Sequence, residues 1–149
     1  MDYVLHAERF KLLDMELSYL ASHGVRVGIL NDTDKNEDGD VILFYAIDNE
    51  YGKGRIPARP FFRTGIKNGD KKIRERLNTN INKVINGKMT GEQALNNLGI
   101  MVKGMIQDSL RNGNWKPNAP RTLALKGNKP PLVDSGSMMD AIDYEIVER

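Results

Sequence analysis

The sequence predicts an α+β fold, with a small, mostly antiparallel sheet packed against an N-terminal helix and a long antiparallel helical hairpin. Three observations predict it. Residues 2 to about 22 carry apolar side chains at helical spacing. Two long helical patterns, 60–86 and one starting at Thr90, are separated by so few residues that the helices must run antiparallel. Short runs at 25–29, 41–47 and 142–146 read as strands. The 149 residues are a single-domain length, 1–149, with an irregular arm at about 112–133. A chain of this size buries roughly 68% of its unfolded surface and needs no covalent staple.

In the first helix His6, Phe10, Leu13, Leu17 and Leu20 recur three or four residues apart, so its apolar side requires a partner. Gly24 suits a left-handed cap at its end. Val25, Val27 and Ile29 then alternate with Arg26 and Gly28, and Val41 to Ile47 forms a second apolar run, which together suggest a hairpin. From Pro60 to Asn86, Phe62, Ile66, Ile73, Leu77, Ile81 and Val84 share one side of a helix that spans about 40 Å. Gly65 and Gly69 weaken its start, so a break is expected near Asn68 to Asp70. Gly87 is placed to cap it, and Thr90 with Gln93 forms a capping box that begins the next helix. Ala94, Leu95, Leu98, Met101, Val102, Met105 and Ile106 give that helix a broad apolar face. The arm holds a short helix near Pro120 to Lys126 and the single tryptophan, Trp115, as either a core plug or an exposed anchor. Asp134 reads as the cap of a helical turn through Asp140, and Ile142, Tyr144 and Ile146 as a last strand.

The most specific stretch is Tyr45 to Arg63. Gly52 and Gly54 make a turn, and Pro57 and Pro60 hold Ile56 and Arg59 extended. Pro60 suits the first turn of a helix that Phe61 and Phe62 can anchor. Ala46, Glu50, Tyr51 and Gly52, followed by Ile56, Pro57, Ala58, Arg59, Pro60 and Phe61, make one box. Pro131, Leu132, Val133, Asp134, Ser135 and Gly136 make a second, about 70 residues on. The two boxes, in this order, resemble those of the neck or tail-completion proteins (virion morphogenesis, minor tail) of tailed bacteriophages and prophages. Ser135 stands where that family often has Thr, which changes little in a capping role.

The resemblance implies a non-enzymatic structural virion protein at the head-tail joining region or tail end. It implies homo-oligomerisation into a ring, expected as a hexamer, beside other connector or tail proteins. Such a protein resides in the virion and, during assembly, in the host bacterial cytoplasm. Subunit contacts would come from the rigid segment around Arg59 and Arg63 and from the arm between Trp115 and Leu132. Arg59 either meets carboxylates of a neighbour or pairs internally with Glu50.

Charge is unevenly spread, with a net of −7 in residues 1–50 and +7 in residues 51–76. That permits head-to-tail packing of copies or approach to a polyanion. The alternative function is a DNA-binding module without sequence choice, in which the basic stretch 53–76 neutralises phosphates; weak contact with phage DNA would use the same charges. No membrane partner is expected, because MDYVLHAERF has no signal-peptide pattern and no apolar run approaches the ~18 residues of a span. Cysteine is absent, which fits a reducing compartment.

No catalytic set is expected. His6 and His23 lack a nucleophile nearby in sequence, and phosphate-loop, zinc and G-x-S-x-G motifs are missing. Neither a cofactor nor a metal is expected. Asp34, Asn36, Asp38 and Gly39 begin like a calcium loop, yet its twelfth position is Tyr45 in place of Glu, so the segment reads as a solvated hairpin loop.

Overall fold

The computed structural model describes residues 2–127, 131–132 and 136–149. In chain order the elements are α1 (Asp2–Ser22), β1 (His23–Ile29), α2 (Ile42–Tyr51), α3 (Phe61–Ile85), α4 (Gly91–Asn112), α5 (Pro120–Lys126), α6 (Ser137–Asp140) and β2 (Ile142–Glu148). The fold is α+β, and its sheet is β1 paired antiparallel with β2. Two compact units divide the chain: Met1–Arg26, Asp70–Met101 and Tyr144–Arg149 in one, Val27–Gly69 and Val102–Asp143 in the other.

In the first unit, α3 ends and α4 begins as local chemistry requires. Gly87, at φ 67°, donates to the Val84 carbonyl, and Lys88 donates to that of Lys83, so the last carbonyls of α3 are satisfied by a left-handed cap. Thr90 Oγ1 accepts from Gln93 N at 3.1 Å while Gln93 Oε1 accepts from Thr90 N at 3.0 Å, the reciprocal capping box. Asn80, fully buried, donates to the Ala94 carbonyl and to Asn97, locking α3 to α4. Glu16 of α1 accepts from Gly91 N in the first turn of α4, where a carboxylate also meets the positive end of the helix dipole. Gly99 has no side chain because the ring of Tyr144 lies in that space, with the Tyr144 hydroxyl donating to Asn96. Strand register is fixed by Arg26 with Glu145 at 3.0 Å and by Arg149 N donating to the Ser22 carbonyl.

The apolar side of α1 is split. Leu13, Tyr19 and Leu20 are half-buried, while Phe10, Leu12, Met15 and Leu17 are exposed, Phe10 at 72%. Full docking of that side, expected from its spacing, does not occur within the unit.

In the second unit, the apolar run 41–47 is not a strand. It opens α2, whose buried residues Ile42, Ala46, Asn49 and Glu50 recur at helical spacing. A short unbroken apolar run carries no period of its own, and here the pattern that continues to Glu50 decides it. The expected hairpin therefore gives way to a sheet of two strands. The acidic loop before α2 is held by Asn36, whose Oδ1 accepts from Asp38 N and Asp40 N at 3.0 and 2.8 Å. Among the described residues no cluster of histidine and acidic side chains could hold a metal ion.

Nor does α3 break near residues 68–70. Gly65 and Gly69 instead let α4 approach: a Cβ at Gly65 would lie 3.1 Å from Ser109 Cβ and 3.2 Å from Ile106 Cα, and one at Gly69 would strike Met105 Sδ. Ser109 Oγ donates to the Phe61 carbonyl across the same contact at 2.7 Å. Phe61, Ile106, Leu110 and Ile142 form the centre of this unit's core.

Candidate functional site

The first sequence box folds into a clasp at the junction of α2 and α3. Asn49 and Glu50 end up buried because α2 turns them inward one turn below Ile42 and Ala46. Gly52 then reverses the chain at φ 80°, where a Cβ would also meet Ala58 N at 3.0 Å and the Ile56 carbonyl at 3.1 Å. Lys53 and Ile56 exchange both backbone hydrogen bonds, which closes the turn. Pro57 and Ala58 bring the chain back beside α2, so that Arg59 N donates to the Asn49 carbonyl at 2.6 Å.

Glu50 caps α3. Its Oε2 accepts from Phe62 N at 2.9 Å and its Oε1 from Arg63 N at 3.2 Å, satisfying first-turn donors and placing a negative charge at the positive helix end. Arg63 Nε adds a 2.8 Å ion pair to Oε1, and Arg63 Nη2 donates to the Glu50 carbonyl at 3.1 Å. The same guanidinium lies 4.7 Å above the Tyr51 ring. Pro60 ends the turn, and its carbonyl accepts from Thr64 N.

Arg59 is the inner member of the clasp, 4% exposed. Nη1 donates to Asn49 Oδ1 at 2.8 Å, Nε to the Lys116 carbonyl at 2.8 Å, and Nη2 to the Pro117 carbonyl and Asn118 Oδ1, both at 3.1 Å. Burial lowers its pKa from the ordinary value, and Tyr45 acts in the opposite direction. An arginine still keeps its charge at neutral pH, solvated here by oriented carbonyl dipoles. The expected Arg59 to Glu50 pair is replaced by Arg63 with Glu50, and Arg59 faces inward instead of offering itself to a neighbour's carboxylates. The reason is local: Glu50 lies against the first turn of α3 at Phe62 and Arg63, three and four residues past Arg59.

The arm begins on this clasp. Trp115 is half-buried, neither core plug nor free anchor, and its Nε1 donates to the Ser109 carbonyl at 3.1 Å while its ring lies over Gly113. Farther along, Leu132 is buried at φ 71°, a left-handed backbone rare for leucine. Gly136, at φ 84°, occupies the cap position of α6 without any side-chain cap bond. Asp134 and Ser135 lie outside the described residues. α6 packs on α2, so the element that carries Glu50 and Tyr51 touches the one that follows Gly136.

Asn49, Ser109 and residues 116–118 complete the clasp without having been predicted. Only their place in the fold reveals them, since an asparagine or a backbone carbonyl carries no motif. Part of the basic stretch is engaged within the chain: Lys53 pairs with Asp48, Arg63 with Glu50 and Arg74 with Asp70, and Arg59 is buried. His23 stacks on Tyr19 at 4.0 Å, and its Nδ1 lies 2.9 Å from Ser22 Oγ.

Several apolar side chains are exposed among the described residues. They include Phe44, Ile47 and Tyr51 on α2, Ile100 on α4 and Leu125, 78% exposed, on α5. On α1, Phe10 and Leu12 line a groove of about 590 Å³ closed on its other side by Val84, Ile85 and Met89. No helix among the described residues is long and apolar enough to cross a membrane. No protein-family model, no curated protein and no solved structure matches this chain.

Proposed function

We propose that this chain is a structural virion protein of a tailed phage or prophage, one subunit of a homo-oligomeric ring at the neck or tail-completion position. The observation that supports the proposal is the packing of α2, which carries Ala46, Glu50 and Tyr51 of the first box, on α6, the helix that follows Gly136 of the second. The described residues of both boxes belong to the same compact unit, which is what two parts of one device require. The clasp is the scaffold of that device: Glu50 starts α3, and Arg59 secures the root of the arm.

A ring requires two unlike patches per subunit, joined head to tail. Exposed Leu125 on the arm helix supplies an apolar knob, and the groove beside Phe10 on α1 supplies an apolar receptor for it in the next copy. Contacts therefore come from the arm's outer side, and the Ile56 to Phe61 segment acts from within by holding that arm. Electron microscopy of the concentrated protein tests this. Annular particles of one fixed symmetry are the expected result. A protein that forms no closed particle and retards duplex DNA in low salt would be read instead as a nucleic-acid-binding module.

A further inference from the structure

We infer that the turn between α3 and α4 carries a self-modification site, in which the side chain of Asn86 cyclises onto the backbone nitrogen of Gly87 and ends as an aspartyl or isoaspartyl residue. Asn68, Asn86 and Asn112 each precede a glycine. Glycine has no Cβ to keep its nitrogen from the preceding side chain, so each pair has the covalent arrangement that the reaction needs. The Gly87 nitrogen gives up its proton and attacks Asn86 Cγ. A new C–N bond closes a succinimide ring, and the side-chain amide nitrogen leaves with that proton as ammonia. Water then opens the ring at one carbonyl to give aspartate, or at the other to give isoaspartate, whose main chain is one carbon longer. Ammonia is released, water is consumed, and nothing is oxidised or reduced.

Folding decides which of the three pairs can react, because ring closure requires the glycine nitrogen to swing out of helical geometry. Asn68 and Gly69 lie inside α3, where Gly69 is buried and a Cβ on it would strike Met105 Sδ. Moving that nitrogen would break the helix at its contact with α4. At the end of α4, the Asn112 amide is held by Asp108 Oδ1 at 2.8 Å, Gly113 N donates to the Ser109 carbonyl, and the Trp115 ring covers Gly113. Asn86 and Gly87 differ: both are exposed, both lie past the end of α3, and nothing is within 4 Å of a Cβ placed on Gly87. Gly87 N is held by the Val84 carbonyl and the Asn86 amide by the Asn82 carbonyl, bonds at a helix end, where opening is cheapest.

The product disturbs its own surroundings. The bonds from Gly87 and Lys88 that close α3 depend on chain spacing at this pair, and the new carboxylate meets the negative end of the helix dipole. Gly87, Lys88 and Met89 also form one side of the groove beside Phe10, so the step alters that surface as the protein ages; the chemistry itself does not rest on the ring. The test incubates the full chain in mildly alkaline buffer, folded and, in parallel, unfolded in guanidinium. After digestion at acid pH, mass spectrometry follows each Asn–Gly peptide by its gain of one mass unit, and chromatography separates the two isomers. The ratio of folded to unfolded rate should be at least roughly tenfold higher at Asn86 than at Asn68 or Asn112, following the difference in local opening. Asn86→Ser, a change at an exposed position, should remove the early release of ammonia while circular dichroism stays that of the wild type. Equal ratios at the three pairs, a higher ratio at Asn68 or Asn112, or early ammonia release undiminished in Asn86→Ser would overturn the inference.

Discussion

A buried arginine with only neutral acceptors puts its whole charge on hydrogen-bond geometry, and Arg59 has four such bonds. Arg59→Ala leaves Asn49 and three arm acceptors unpaired, and should lower stability by about 2–4 kcal/mol in urea denaturation with an unchanged slope. Arg59→Lys should recover little, because a single ammonium cannot reach Asn49 on one side and residues 116–118 on the other. Glu50 acts differently, through the helix end. Glu50→Ala should cost about 1–2 kcal/mol by loss of the α3 cap, with Glu50→Gln in between, as read from the thermal midpoint. Equal midpoints for wild type and Glu50→Ala would remove Glu50 from the capping role. At this scale the sequence identified Glu50, Gly52 and Arg59 as special and left Arg59 between a neighbour's carboxylates and Glu50, whereas it bonds Asn49 and residues 116–118. Two arginines four residues apart compete for one carboxylate, and only the path of the turn decides which reaches it.

At the scale of elements, glycines separate two kinds of helix contact on α4. Gly99 is buried under the Tyr144 ring, whereas nothing lies within 4 Å of a Cβ placed on Gly104. Gly104→Ala should stabilise the protein by about 0.5–1 kcal/mol through helix propensity alone. Gly99→Ala should destabilise it by about 1–3 kcal/mol by overpacking against β2, and parallel denaturation of the two variants checks both. The boundary between α3 and α4 was legible because caps are local: Thr90 and Gln93 bond each other, and Gly87 adopts the left-handed turn, whereas Gly24, expected as a left-handed cap of α1, lies inside β1 without a positive φ. By contrast, α2 was misread as a strand because the unbroken apolar run Val41 to Ile47 gives no period of its own. The expected break in α3 failed for a related reason. Gly65 and Gly69 lower helix propensity, but both face α4, and close packing there outweighs roughly 1 kcal/mol each.

At the scale of the molecule, what sequence shows is the material of assembly and not its plan. The charge division between residues 1–50 and 51–76 was visible, yet several cations of the second stretch are committed to partners in their own chain. That redirects attention from charge to exposed apolar side chains, Leu125 and the α1 groove that the proposed ring would join. Amphipathic spacing could not have announced them, because a periodic apolar face normally implies burial within the chain, as it does for Ala94, Leu95, Val102 and Ile106 of α4. The most direct measurement of the central proposal is mass by light scattering after size exclusion, across concentration at physiological salt, for the wild type and Leu125→Asp. The ring account predicts a discrete closed species on the order of six copies for the wild type, lost in Leu125→Asp without loss of folding. A wild type that never exceeds a dimer, or a large species indifferent to Leu125→Asp, would contradict it.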